Sequence, residues 1–208
     1  MMTMSSKCKA KTAPAVFLAV EDKSLDKFTT LLQSGIFIHV HQGETIGGLL
    51  CSLPGFSEEY ISTRIQTIFV DGLPADDLAQ EFVKKETVLA VSAAMPGVAG
   101  AIFRKGGIHA ALRTGTAKQT ASTSVQTTLT VRLKLFNVIA KERGKELLHR
   151  GCFIQSDSLE KFLAYRPFLE QDIENIVIDG QEMTMETLLQ TLSANKKIAL
   201  TIRSSHDN

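Results

Sequence analysis

Residues 65–72 read IQTIFVDG, and residues 173–180 read IENIVIDG. Each is an apolar run closed by Asp-Gly. Branched and aromatic residues favour a strand. Asp-Gly favours a tight turn, because Gly accepts positive φ and Asp can hydrogen-bond its own local backbone. A phrase that occurs twice in one chain belongs to a repeated fold unit before it belongs to a catalytic site. Asp71 and Asp179 are therefore read as turn residues.

Working outward, LLQSGIFI at 31–38 lies over LLHRGCFI at 147–154. Leu31, Leu32, Gly35, Phe37 and Ile38 match Leu147, Leu148, Gly151, Phe153 and Ile154 at one constant spacing. At the same spacing VFLAV at 16–20 lies over RLKLF at 132–136. ETIGGLL and SDSLEKFL follow, with Ile46 over Leu159, and VLAV at 88–91 lies over KIAL at 197–200. Five segments in the same order predict an internal duplication.

Each copy predicts the same elements. TLTVRLKLF at 128–136 alternates residue by residue, as a strand does. Leu25, Phe28, Leu31 and Leu32 form one apolar helical stripe. Gly35 and Gly151 stop the helix where a left-handed residue is needed. In IFIHVH, Ile36, Ile38 and Val40 share one face, and Phe37, His39 and His41 share the other. A second helix follows, with Ser156 or Asp157 as its cap in the second copy and Thr45 in the first. The expected fold is α+β: a tandem duplicated β-α-β-α-β-β unit. The expected organisation is a flexible tail at 1–13, a first repeat at 14–113 with a Gly-rich basic segment at 95–113, a Ser/Thr-rich linker at 114–128, and a second repeat at 129–208.

The net charge of +1 argues against nucleic acid as a partner. The distribution is uneven: from Thr87 to Lys141 there is no Asp or Glu, while Arg104, Lys105, Arg113, Lys118, Arg132, Lys134 and Lys141 fall inside that run. The three cysteines, Cys8, Cys51 and Cys152, form no CxxC pair, which suits reduced thiols and a cytoplasmic location. The uncharged run at 87–103 holds Pro96, Gly97 and Gly100 and is too short and too rich in small residues for a membrane span.

Two features occur in one copy only. The first is MPGVAGAIFRKGGIHAALR at 95–113. Gly97, Gly100, Gly106 and Gly107 let backbone amides approach a ligand, and Arg104, Lys105, His109 and Arg113 supply positive charge. Together they make a candidate anion site for phosphate or nucleotide, although neither a Walker pattern nor GxGxxG is present. The second is the pair His39 and His41, a spacing that metals use. Glu58-Glu59 and Asp76-Asp77 read as surface and helix-start charges. No catalytic constellation is evident, and no cofactor is expected.

Residues 45–100 carry TIGGLLCSL, then IFVDGLPADDL, then ETVLAVSAAMPGVAG. This succession resembles the ubiquitin-fold sulfur carriers, such as the small subunit of molybdopterin synthase. The resemblance implies a β-grasp, ubiquitin-like fold. Carrier chemistry needs a free carboxylate on a terminal glycine pair, whereas Gly106-Gly107 is internal here. The expected function is that of a non-catalytic binding or adaptor protein with a protein partner. The alternative is an enzyme or metabolite-binding protein that holds a small anionic ligand on the Gly-rich segment.

Overall fold

The computed structural model describes residues 12–93, 102–104, 107 and 128–206. The strands are β1 Ala15–Val20, β2 Ile36–His41, β3 Thr67–Val70, β4 Leu73–Pro74, β5 Glu86–Ser92, β6 Thr128–Phe136, β7 Cys152–Gln155, β8 Ile173–Ile178, β9 Gln181–Glu182 and β10 Lys197–Ser204. The α-helices are α1 Asp22–Phe28, α2 Ile46–Ser52, α3 Glu58–Arg64, α4 Asn137–Arg150, α5 Ser156–Ala164 and α6 Met185–Ala194. The fold is α+β, with all ten strands in one mixed sheet of order β4-β3-β5-β6-β2-β7-β10-β1-β8-β9.

Alternation explains why the sheet has one buried face. Leu129, Val131, Leu133 and Leu135 of β6 are buried, while the residues between them are not. Register carries that face across neighbours. Leu133 lies opposite Leu89 and Ile36, Ile36 opposite Ile154, and Ile154 opposite Ile198. Val16 lies opposite Leu200 and Ile178. The helices cover this face with Phe28, Leu32, Ile139, Leu148, Leu159 and Leu188, all buried in the same core. The opposite face carries the row Val88, Arg132, Phe37, Phe153, Ala199 and Ala15, each half-buried or exposed.

At the centre, β2 and β7 pair through only Ile36 with Ile154 and Phe37 with Phe153. Outward from that pair, the strand senses are the same on both sides. β2-β6 is antiparallel, β6-β5 parallel, β5-β3 antiparallel and β3-β4 antiparallel. On the other side, β7-β10 is antiparallel, β10-β1 parallel, β1-β8 antiparallel and β8-β9 antiparallel. The strands β1 and β6, which the sequence match superposes, do not occupy corresponding places. β1 stands beside the β8-β9 hairpin, where β5 stands beside the β3-β4 hairpin. Both sheet edges end in two-residue strands, which leaves little unpaired backbone.

The Asp-Gly turns have φ of 50° and 82° at Asp71 and Gly72, and of 50° and 83° at Asp179 and Gly180. Both central residues of each turn are left-handed, as a two-residue hairpin requires. The carboxylates do not bond their own local backbone, as the sequence suggested. Asp71 Oδ1 accepts from the Val88 amide of β5, and Asp179 Oδ1 accepts from the Ala15 amide of β1, both at 2.9 Å. Each turn thereby fastens the strand beside its hairpin, through an amide near that strand's start that needs an acceptor.

Two further expectations change. The stripe through Leu25, Phe28, Leu31 and Leu32 is α1 only to Phe28, and Thr29–Gln33 tightens into a 3₁₀ turn before Gly35, φ 101°. Of the expected caps, Thr45 is used and neither Ser156 nor Asp157 is. Thr45 caps α2 by accepting from Gly48 N, whereas α5 begins at Ser156 without any side-chain cap. Ser156 is already inside the helix, and its hydroxyl is buried with no hydrogen-bond partner.

Candidate ligand-binding cleft

The alternation that buries Leu133 and Leu135 places Arg132, Lys134 and Phe136 on the other side of β6. Two recesses open there and share Lys134 and Phe136. One, of about 390 Å³, lies over β5 and β6 against Phe69, Val88, Ala90 and Val91. The other, of about 570 Å³, runs past Ser34 and Gln155 to Lys161 and Arg166 of the α5 region.

Arg132 is fixed in place. Its Nε and Nη2 donate to Ser34 O at 3.0 and 2.6 Å, and Nη2 also donates to Gln155 Oε1 at 2.9 Å. Gly35 makes this reach possible, since a Cβ there would come within 2.8 Å of Arg132 Cγ and Nε. Arg132 also lies 5.6 Å from the Phe37 ring centroid. Lys134 is half-buried and has no hydrogen-bond or ion-pair partner among the described residues. Asp157, the one carboxylate among the described lining residues, accepts from Lys161 at 2.9 Å. That bond holds the Asp157 carboxyl below the usual carboxylate range and holds the Lys161 ammonium above its own. At the far end of the apolar recess, Asn137 Nδ2 donates to Ser92 Oγ at 3.2 Å.

Of the residues expected on the Gly-rich segment, Arg104 and Gly107 are described. Arg104 Nε donates to Gln66 Oε1 at 2.9 Å, and Gly107 N donates to Arg104 O at 3.0 Å. The neighbouring Phe103 ring lies 5.4 Å from Phe69, which lines the apolar recess. Gly97, Gly100, Lys105, Gly106, His109 and Arg113 lie outside the described residues, as do residues 114–127. His39 and His41 are exposed on β2, and His39 Nδ1 is 3.3 Å from Thr130 Oγ1. Among the described residues, no three His, Cys, Asp or Glu side chains are grouped to hold a metal ion. The sequence reading placed Arg132 and Lys134 in a cationic run without assigning them a role. The period-2 pattern of TLTVRLKLF already put them on one face with Phe136.

Other charged clusters tie helices together. Tyr60 donates to Glu142 Oε2 at 2.7 Å, Arg64 pairs with Glu142, and Arg143 stacks 3.9 Å from the Tyr60 ring centroid. Burial, and then the bond to Glu142, push the Tyr60 hydroxyl up to about 12. Cys51 and Cys152 are unpaired thiols, and burial pushes the Cys152 thiol up to about 12.

Comparison with protein-family models, with curated proteins and with solved structures gave no match. Among the described residues, no helix is long and apolar enough to cross a membrane.

Proposed function

We propose that this chain is a non-catalytic binding protein, built from two β-grasp-like halves, that holds an anionic ligand in the cleft along β6. The observation that carries the proposal is Lys134. It is a half-buried residue whose ammonium has no hydrogen-bond or ion-pair partner among the described residues, and it stands where a cationic recess meets an apolar one. No carboxylate among the described residues pairs with it, and an anionic ligand would supply the counter-charge. Arg132, held rigid by Ser34 and Gln155, adds a second cation that needs little reordering to bind. The expected Gly-rich segment fits this place, since its described part packs on Phe69 and bonds to Gln66. Binding is favoured over catalysis because the lining carboxylate Asp157 is committed to Lys161.

The β-grasp reading is supported by the order β2-β6-β5-β3-β4 and its succession of senses, with α2 between β2 and β3. A shared ancestor for the two halves is supported by the repeated phrases and by matching φ values at both Asp-Gly turns. A protein partner is the second reading. It is favoured by Phe153, 44% exposed beside Phe37 on the sheet face opposite the core.

The test is thermal unfolding with inorganic phosphate, nucleotides and simple carboxylates. A ligand present at about a hundred times its Kd is expected to raise Tm by several degrees. Lys134→Ala is expected to weaken binding about tenfold while the protein stays folded. If no anion shifts Tm, the ligand reading fails and the protein-partner reading takes its place.

A further inference from the structure

The two recesses that meet at Lys134 and Phe136 suit different chemistry. The one over β5 is walled by Phe69, Val88, Ala90, Val91 and Phe136, with Phe103 against Phe69. Its polar end groups, Ser92 and Asn137, are bonded to each other. The recess toward α5 presents Arg132, Lys134, Lys161 and Arg166 against one carboxylate among the described residues, Asp157. An inorganic anion would use the second and leave the apolar wall of the first in contact with water. A purely apolar molecule would desolvate Lys134 without giving it a counter-charge.

We infer that the ligand is an amphiphile: a carboxylate or phosphate head on an apolar acyl or aryl body. The head sits between Lys134 and Arg132, whose Nη1 donors are not used in the bonds to Ser34 and Gln155. The body lies over Val88 and Ala90 toward Ser92. At about 390 Å³, the apolar recess is within the size range of small-molecule sites. This inference rests on the anion reading above, which fixes only the head.

The experiment titrates the full chain with straight-chain carboxylates from butanoate to dodecanoate, each kept monomeric, and with inorganic phosphate. Affinity is expected to tighten about two- to fourfold per methylene while the recess fills, and then to level off. Ala90→Phe, which fills the recess, is expected to flatten the series, weakening dodecanoate far more than butanoate. The chain-length series on the unmodified protein decides the matter if that variant does not fold. A Kd independent of chain length overturns the amphiphile and leaves the anion reading standing. No binding by any member, phosphate included, removes both. Capture by phosphatidylglycerol vesicles without binding of any monomeric carboxylate also overturns the inference.

Discussion

The two halves of the sheet, β4-β3-β5-β6-β2 and β9-β8-β1-β10-β7, share their strand senses but draw on the chain differently. In the first half, the strand clasped by the Asp-Gly turn is β5, which follows it closely in sequence. In the second it is β1, the first strand of the chain. The sequence match superposes β1 on β6 and β5 on β10, yet in the second half β10 stands where β6 stands in the first. Backbone ladders do not read side chains, and β1 and β10 are parallel with the same alternation. Either strand could hydrogen-bond in either slot. What fastens β1 beside β8 is Asp172, just before β8. Its carbonyl accepts from Glu21 N at 2.9 Å, and its carboxylate accepts from the buried Ser24 hydroxyl at 2.6 Å and from Lys27 at 3.3 Å. The sequence match sets Arg64 over Asp172, and Arg64 instead pairs with Glu142 of α4.

The largest expected effect tests whether the halves stand or fall together. Leu18 of β1 and Leu89 of β5 are both fully buried beside their Asp-Gly hairpins. Leu18→Ala and Leu89→Ala should each cost about 2–5 kcal/mol, read as denaturant midpoints at constant slope. One shared core predicts a single transition in both variants. A residual transition in either would mean that the halves fold independently.

Asp172→Ala comes next. Ser24 and Lys27 hold the Asp172 carboxyl below the usual carboxylate range, with the Ser24 bond the larger cause. A depressed carboxylate stabilises the fold above its unfolded-state value, and that contribution disappears as the pH falls through the folded-state value. The variant should therefore lose several degrees of Tm at neutral pH, and the gap to the unmodified protein should close in strong acid. A gap independent of pH would mean that the Asp172 carboxylate does not fasten β1.

The Asp-Gly turns follow. Asp71→Ala and Asp179→Ala place a left-handed φ on alanine and remove one hydrogen bond, for about 1–3 kcal/mol each. Asp71→Ala should cost slightly more, since Asp71 also pairs with Lys84 at 2.7 Å, and exposed pairs are weak. The reverse order would argue that the clasp on β1 matters more than the clasp on β5. Smallest is the contrast of helix starts. Thr45→Ala should cost about 1 kcal/mol, and Ser156→Ala, which removes a buried hydroxyl without a partner, should be neutral or stabilising. A loss at Ser156 equal to that at Thr45 would reveal a bond its hydroxyl makes.

Much of the site lay in plain view as spacing. TLTVRLKLF puts Arg132, Lys134 and Phe136 on one face, and all three line the cleft. Gly35 was legible as a helix stop, but not as the gap through which Arg132 reaches Ser34 and Gln155. Phe69, Val88, Lys161 and Arg166 were not legible as lining the same recesses as Lys134, because they come from β3, β5 and the α5 region, far apart along the chain.

By itself, the sequence determined the local pieces: alternating strands, the glycine stops at 35 and 151, and two Asp-Gly hairpins. These follow from backbone conformation and from a period read over neighbouring residues. Only the tertiary structure decided that all ten strands join one sheet, that β10 and β1 stand where β6 and β5 stand in the other half, and that a cleft forms where β6 meets β5 and α5. Those choices depend on contacts between distant residues, such as Asp172 with Ser24, which no local pattern encodes.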